Sequence, residues 1–190
     1  MPVTCYLIGV PGAGKSTALA SAIEQLDWGN PEPRSKPFAH SHYETGDAVV
    51  LGRHDAPFPG TDTLSLGVNP RAIDFLHSTG ASLIVGEGDR LANAKFLRAA
   101  ADAGGVLLVL LDLPPARAYQ RMLDRADRLG VAPQKEPWWN GRYTKTQNLR
   151  RLVHPELRHI TVDALRPPGE VADDVATILR NSRHAVTPGA

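Results

Sequence analysis

The chain has 190 residues, of which 42% are hydrophobic and 22% charged, and its formal net charge is +1. This length suits one well-buried domain, and the near-neutral charge excludes a protein held to nucleic acid by its global field. No apolar run approaches the roughly 18 residues of a membrane span, so we expect no membrane partner. One cysteine excludes an internal disulfide. Since we also expect no signal peptide before the first strand, a reducing, cytoplasmic setting is predicted.

Strands and helices alternate along the chain, beginning with a strand at 3–8 and a helix at 15–26. Residues 38–43 and 48–52 flank a turn at Gly46, which predicts a hairpin or a bent second strand. This alternation predicts an α/β fold whose mostly parallel sheet is covered by helices on both faces. The later predicted elements are a helix from Pro70 with Asn69 as its cap and Gly80 as its stop, strands at 83–85, 106–111 and 159–162, and helices at 91–103, 116–129, 143–152 and 170–180.

We expect a single domain over residues 1–180 and a flexible tail over 181–190. Two segments within the domain are rich in glycine, proline or tryptophan. The first, at about 52–69, is predicted to be a loop for the acceptor substrate, and the second, at about 130–147, to be a lid over the active site.

The stretch "GVPGAGKST", residues 9–17, directly follows the first strand and opens the first helix. It matches the pattern G-x-x-x-x-G-K-S/T, in which backbone N–H groups surround phosphate oxygens at a positive helix terminus. Lys15 is expected to reach the outer phosphates of ATP, and Ser16 to ligate Mg²⁺. An ordinary glycine-rich turn is the alternative. The other residues assigned to the nucleotide in this loop are Gly9, Gly12, Ala13, Gly14 and Thr17.

Charged residues also follow the strand at 83–85, where Glu87, Asp89 and Arg90 stand in "LIVGEGDR". Open α/β sheets place their ligand crevice at the carboxyl ends of the strands. A carboxylate there can hold a Mg²⁺-bound water or accept a proton from an attacking hydroxyl, and an arginine can neutralise transferring phosphate. An exposed ion pair in a loop is the alternative interpretation.

The helix at 116–129 carries Arg117, Arg121 and Arg125 at successive i+4 steps, so they share one face. Asp124 and Asp127 interleave with them, and a solvated, salt-bridged helix is therefore a real competitor to a phosphate-binding role. The position of the helix directly after a strand favours function for Arg121 and Arg125.

The segment Asp112-Leu113-Pro114, followed by Arg121 and Arg125, resembles the segment that opens the lid of adenylate-kinase-like nucleotide kinases. The resemblance implies that Arg121 lies near the nucleotide base and that Arg125 contacts phosphate. It also implies a three-layer P-loop kinase fold with a lid and a five-stranded sheet in the order 2-3-1-4-5.

The motif at 87–90 is similar to the acidic-then-arginine motif after the third strand of nucleoside and nucleotide kinases. This similarity implies Mg²⁺ or base chemistry at Glu87 or Asp89, and phosphate binding at Arg90.

The acceptor loop departs from that family, since it lacks the usual monophosphate-binding arrangement of small kinases, so AMP is not the expected acceptor. It offers Arg53, Thr61 and Asp62, which we assign to acceptor binding. Together with "WWNGRYTKTQNL" in the predicted lid, it resembles kinase-like proteins of actinobacterial viruses and viral kinases that phosphorylate 5-hydroxymethyluracil within DNA. A viral origin would place the protein in the host cytoplasm.

Residues 130–142 are expected to form an irregular cover rather than a regular helix. Trp138 and Trp139 can stack on a nucleobase, while Arg142 and Lys145 can meet phosphate. The alternative is that tryptophan anchors the loop on the core, and neighbouring residues in an extended stretch point opposite ways. Of the two, Trp139 is assigned to the acceptor.

Three function classes remain open at this stage. The first is an ATP- and Mg²⁺-dependent kinase acting on a base hydroxyl in DNA, and the second is a kinase for a free deoxynucleoside or its monophosphate. The third is a non-kinase NTPase, although the chain lacks the Asp-Glu pair after an apolar strand that motor-type NTPases use. Rapid hydrolysis without acceptor would favour the third class. The oligomeric state and the donor base are left open.

Overall fold

A computed structural model describes residues 1–55 and 59–182, apart from the side chains of residues 152–156. Part of the predicted acceptor loop, at 56–58, and most of the predicted tail, at 183–190, lie outside the described residues. Asn181 and Ser182 belong to the last helix rather than to a tail. Among the described residues, no helix is both long and apolar enough to cross a membrane.

Seven strands form one sheet in the order β2-β3-β4-β5-β1-β6-β7 within the described residues. The strands are β1 (Val3–Ile8), β2 (Glu32–Arg34), β3 (His40–Tyr43), β4 (Ala48–Leu51), β5 (Leu83–Glu87), β6 (Val106–Asp112) and β7 (Arg158–Asp163). The stretch from β4 to β7 is parallel, whereas β2, β3 and β4 pair antiparallel at one edge. The predicted count of five strands is therefore wrong: the expected second strand is a hairpin of β3 and β4, and the exposed β2 lengthens the edge. The predicted order 2-3-1-4-5 applies only to the five parallel strands.

Helices cover both faces of the sheet and produce the predicted three layers. They are α1 (Lys15–Leu26), α2 (Asn69–Ser78), α3 (Ala94–Ala103), α4 (Pro115–Arg128), α5 (Glu136–Glu156) and α6 (Pro168–Ser182). Side chains alternate across a strand, so Cys5 and Leu7 of β1 join the core beneath α1 and α6, while Tyr6 and Ile8 join the core beneath α2 and α3. The interior strands are apolar on both faces because both faces are covered.

Helix α5 corrects the expectation of an irregular lid, because residues 136–142 are helical. Pro137 lies in the first turn, where its missing N–H has no intrahelical partner to lose. Trp139 and Tyr143 are one helical turn apart and both pack on the core, so tertiary burial outweighs the low helix propensity of Gly141. Only the connection between α4 and α5, at about 129–135, remains irregular.

Two helix starts also differ from the predictions. Helix α2 begins at Asn69 itself, with Val68 as the preceding cap residue. Helix α3 begins at Ala94 rather than near residue 91, because the side chain of Asn93 accepts a hydrogen bond from the Phe96 backbone N–H and caps it.

Candidate active site

The candidate site lies at the carboxyl ends of β1 and β5, which are adjacent parallel strands. Leu7 of β1 is in register with Glu87 of β5, so the loop that starts at Gly9 and the loop at 87–90 emerge side by side. Two segments predicted separately from the sequence are thereby brought to one edge of the sheet.

The phosphate-binding loop, residues 9–14, owes its shape to glycines and to its contact with α4. Gly14 has φ +89° and precedes α1 in the left-handed conformation that glycine tolerates. Gly12 has φ +91°, and a Cβ atom there would lie 2.0 Å from the Ala118 carbonyl oxygen of α4. The loop is therefore pressed directly against this helix.

Lys15 turns back over its own loop. Its Nζ donates hydrogen bonds to the carbonyl oxygens of Gly9, at 2.8 Å, and Val10, at 3.2 Å. Burial lowers the pKa of Lys15, and the nearby charge of Glu87 opposes that shift. A partly desolvated ammonium at this point is suited to binding phosphate, because the negative charge of the phosphate would offset the cost of burying the ammonium.

Glu87 is the buried carboxylate of the site, with a relative exposure of 1%. Ser16 Oγ donates a hydrogen bond of 2.9 Å to Glu87 Oε1. Burial raises the pKa of Glu87 to about 7, while Lys15 and Ser16 act in the opposite direction. A Cβ atom on Gly60 would lie 2.0 Å from Oε1, so the backbone at Gly60 lies directly against this carboxylate.

The pair of Ser16 and Glu87 fits Mg²⁺ by the nature of its donor atoms. Mg²⁺ prefers hard oxygen ligands and in kinases uses one or two carboxylates together with substrate phosphates. A hydroxyl and a buried carboxylate oxygen 2.9 Å apart, at the start of α1, supply such a set. The raised pKa of Glu87 indicates an anion whose charge is under-compensated without a cation.

Asp89 has different surroundings from Glu87. Its carboxylate accepts a hydrogen bond from Arg142 Nη1 and lies 3.0 Å from Lys145 Nζ, both on α5. Lys145 Nζ also donates to the Asp89 carbonyl oxygen at 2.7 Å. The predicted acceptor residues Arg142 and Lys145 are thus gathered around Asp89, and Glu87 is the carboxylate next to the phosphate-binding loop.

Thr61 and Asp62 hold the 87–90 loop in place. Asp62 Oδ1 accepts hydrogen bonds from the backbone N–H groups of Asp89, at 2.7 Å, and Arg90, at 3.2 Å. The Tyr6 hydroxyl donates to the Gly88 carbonyl oxygen and accepts from Thr61 Oγ1, both at 2.9 Å. Thr61 is fully buried. Sequence reasoning assigned Thr61 and Asp62 to the acceptor and missed Tyr6, whose only signal was a hydroxyl in a mostly apolar strand.

We expect Asp62→Ala to lower kcat/KM by about tenfold, because the backbone that carries Glu87 and Arg90 loses a charged acceptor. Steady-state kinetics of phosphoryl transfer would test this, with Asp74→Ala on the exposed face of α2 as the matched control. Wild-type kinetics in the Asp62 variant would show that the 87–90 loop is held by other contacts.

The remaining predicted acceptor residues, Arg53 and Arg90, differ in their surroundings. Arg53 is exposed and pairs with Asp55 at 2.8 Å. The Nε atom of Arg90 is buried and has no hydrogen-bond partner within the part of the chain that the structure describes. A buried, unpaired donor destabilises the free protein, and an anionic ligand would satisfy it.

Arg121 and Arg125 of α4 have different surroundings. Arg121 Nη1 donates a 3.1 Å hydrogen bond to the Ala164 carbonyl oxygen, just after β7. Burial is the main cause of the shifted pKa values of Lys15 and Glu87, and the charge of Arg125 has a smaller effect on both. It lowers the pKa of Lys15 further and opposes the raised pKa of Glu87, so its charge acts beside the phosphate-binding loop. The structure therefore brings Arg125 to the site, while Arg121 contacts the segment beyond the edge strand.

Trp139 does not fit the predicted stacking on the acceptor, because its side chain is buried, with 5% exposure. Its indole Nε1 donates to the Pro11 carbonyl oxygen at 3.3 Å. The ring is stacked on Tyr143 and meets Tyr119 edge-on. Trp139 therefore anchors its segment on the core, which was the alternative to stacking on a nucleobase. Trp138 is the exposed tryptophan of the pair, at 40%.

Solved structures of kinases share this architecture over nearly their whole length. A gluconokinase from Sinorhizobium meliloti matches with a TM-score of 0.57 and 14% identity, covering 96% of this chain and 94% of that one. A sugar kinase from Janibacter matches with a TM-score of 0.54 and 13% identity, covering 99% and 100%. A deoxyadenosine kinase from M. mycoides with bound dATP matches with a TM-score of 0.53 and 12% identity, covering 93% and 99%. At these identities the likeness establishes the fold alone.

No curated protein matches the chain. The family model described as P-loop Nucleotide Kinase3, however, matches residues 3–180, which include the phosphate-binding loop, the 87–90 loop and both α4 and α5. The chain therefore belongs to the P-loop Nucleotide Kinase3 family, and the protein is a kinase, a phosphotransferase that uses a nucleotide.

Proposed function

We propose that the protein transfers the γ-phosphoryl group of ATP, with Mg²⁺, to a hydroxyl of a nucleoside-type acceptor. Our specific candidate for the acceptor is the hydroxymethyl group of 5-hydroxymethyluracil in viral DNA. The observation that carries the proposal is the convergence of Lys15, Ser16 and the buried Glu87 beside the phosphate-binding loop. Family membership accounts for the phosphotransferase chemistry, and this convergence supplies the groups that perform it.

In this mechanism the acceptor oxygen forms a bond to the γ-phosphorus as the bond to the β,γ-bridging oxygen breaks and ADP leaves. Lys15 and Arg125 stabilise the charge on the transferring group. Ser16 and Glu87 would hold Mg²⁺, which when bound neutralises phosphate charge. One carboxylate oxygen of Glu87 stays with Ser16, and the other takes the proton of the attacking hydroxyl. Without Mg²⁺ the pKa of Glu87 is about 7, and a bound cation would lower it, so Glu87 would be ionised at neutral pH and able to accept the proton.

The charge distribution supports a polyanionic acceptor such as DNA. Residues 115–151, which span α4 and most of α5, contain nine lysines and arginines but three acidic residues, a net charge of +6. Since the whole chain carries +1, the remaining residues sum to −5. The guanidinium of Arg142 lies 5.4 Å from the ring centre of the exposed Trp138. Basic residues interleaved with an exposed aromatic ring suit a nucleic-acid strand despite the low global charge.

A free deoxynucleoside or its monophosphate is the second candidate acceptor. It is favoured by the net charge of only +1, because a small acceptor needs no broad basic face. Membership of a kinase family argues against the third class, a non-kinase NTPase.

Transfer of ³²P from γ-labelled ATP distinguishes these acceptors. The panel contains DNA with 5-hydroxymethyluracil, the same DNA with thymine, free deoxynucleosides and deoxynucleoside monophosphates, each with Mg²⁺. We expect label on the modified DNA. The thymine DNA, and the modified DNA incubated with the Lys15→Ala enzyme, are the controls and should stay unlabelled. Label on free deoxynucleosides or their monophosphates alone would establish the second candidate. Rapid ADP release without any acceptor, and no label elsewhere, would contradict the kinase proposal.

A further inference from the structure

Trp139 joins α5 to the phosphate-binding loop across 128 residues of sequence. Its indole N–H donates to the Pro11 carbonyl oxygen, and Tyr119 of α4 and Tyr143 of α5 hold its ring from two sides. The next residue of the loop, Gly12, abuts the backbone of α4 so closely that a Cβ atom would overlap it. The middle of the phosphate-binding loop is therefore shaped by α4 and α5.

The same helix α5 also holds the loop that follows β5. Arg142 and Lys145, the first of them less than one turn beyond Trp139, both bind Asp89. One rigid helix thus contacts the ATP side of the site through Trp139 and the predicted acceptor side through Asp89. A displacement of α5 at either of these contacts is transmitted to the other, because packed helices move as units rather than deforming continuously.

We propose that Trp139 is a positioning residue that couples the docking of α5 on Asp89 to the geometry of the phosphate-binding loop. This inference rests on the proposed function, since it concerns how the same ATP site is assembled. Trp139 touches neither ATP nor acceptor in this role. Its contact with Pro11 passes the docked or undocked state of α5 to the phosphate-binding loop. By linkage, nucleotide binding then stabilises the docked position of α5 by the same free energy by which docking strengthens nucleotide binding.

A double-mutant cycle on nucleotide affinity tests the coupling. The probe is the Mg²⁺ complex of the non-hydrolysable analogue AMP-PNP, with its Kd measured by titration calorimetry. Trp139→Phe keeps an aromatic ring but lacks the N–H donor, and Asp89→Asn weakens the docking of α5. We expect Trp139→Phe to raise Kd about fivefold, because one buried hydrogen bond to the loop is lost. Asp89→Asn should change Kd in the wild-type background and leave it nearly unchanged in the Trp139→Phe background.

Strict additivity of the two changes would overturn the inference, because any direct electrostatic effect of Asp89 on the nucleotide is the same in both backgrounds. Trp28→Phe, a second buried tryptophan that packs on Tyr43, is the matched control and should leave Kd unchanged. An equal loss of affinity in that control would also overturn the inference. If the wild-type protein does not bind AMP-PNP at all, the proposed function fails, and the inference fails with it.

A fluorescence measurement keeps the test independent of whether Trp139→Phe folds. The chain has three tryptophans, so the double variant Trp28→Phe/Trp138→Phe leaves Trp139 as the sole emitter. We expect its emission to change on addition of Mg²⁺ and AMP-PNP, with the same midpoint as the calorimetric Kd. Nucleotide binding without any change in emission would contradict a Trp139 contact that responds to the loop.

Discussion

Lys15→Ala is expected to lower phosphoryl transfer by about a thousandfold or more, the largest single effect in the protein. The ammonium group of Lys15 is the cation fixed on the phosphate-binding loop itself, bonded to the Gly9 and Val10 carbonyl oxygens. Charge-stabilising groups of this kind typically contribute between a hundredfold and several thousandfold to the rate. Removing the group also takes away the charge that most strongly favours the ionised form of Glu87.

Initial rates of ³²P transfer, with nucleotide affinity measured separately, test this prediction. Lys95→Ala, which removes an exposed lysine from α3, is the matched control and should retain the wild-type rate. Intact turnover and intact ATP binding in Lys15→Ala would refute the assignment of residues 9–17 to the nucleotide.

Glu87→Gln is expected to have the second-largest effect, and it acts on both rate and stability. Glutamine can still accept the hydrogen bond from Ser16 Oγ, but it cannot take a proton or carry the charge that Mg²⁺ requires. We therefore expect the rate of transfer to fall by about a hundredfold or more.

The effect of Glu87→Gln on stability depends on pH in a defined direction. Burial raises the pKa of Glu87 from its usual 4.5 to about 7, so between these values the folded protein keeps a proton that the unfolded chain has lost. The contribution of Glu87 to the free energy of unfolding therefore falls as pH rises from 4.5 to 7, and it is flat above. A shift of this size corresponds to about 3 kcal/mol. Relative to wild type, the glutamine variant should gain about that much stability between pH 4.5 and pH 8.

Chemical denaturation of both proteins at pH 5 and pH 8, without Mg²⁺ or nucleotide, measures this difference. Glu44→Gln, at an exposed turn position, serves as the control and should show the same pH dependence as wild type. Parallel stability curves for wild type and Glu87→Gln would mean that Glu87 is ionised in the folded protein at all these pH values.

Local signals were sufficient for several elements. The first strand and first helix were predicted with the bounds that β1 and α1 have, because apolar spacing and the glycine-rich loop specify them within about 25 residues. A turn at Gly46 was also predicted, with a hairpin and a bent second strand as the alternatives, and the structure has the hairpin of β3 and β4. The parallel alternation that follows was predicted from local spacing as well. Helix α5 was predicted only from residue 143, and its first two turns, residues 136–142, were missed because they have weak helix propensity and are helical through the burial of Trp139.

The sequence by itself determined that residues 9–17 carry the phosphate-binding motif and which charged residues were candidates to act beside it, since that motif is contiguous and its chemistry is local. Only the tertiary structure decided which contacts these side chains make: Glu87 accepts a hydrogen bond from Ser16, Asp89 is bound by α5, and Trp139 packs against the core. These contacts span 71, 56 and 128 residues respectively. No local pattern encodes them, because they depend on which strands lie side by side and on which helix face is buried against them.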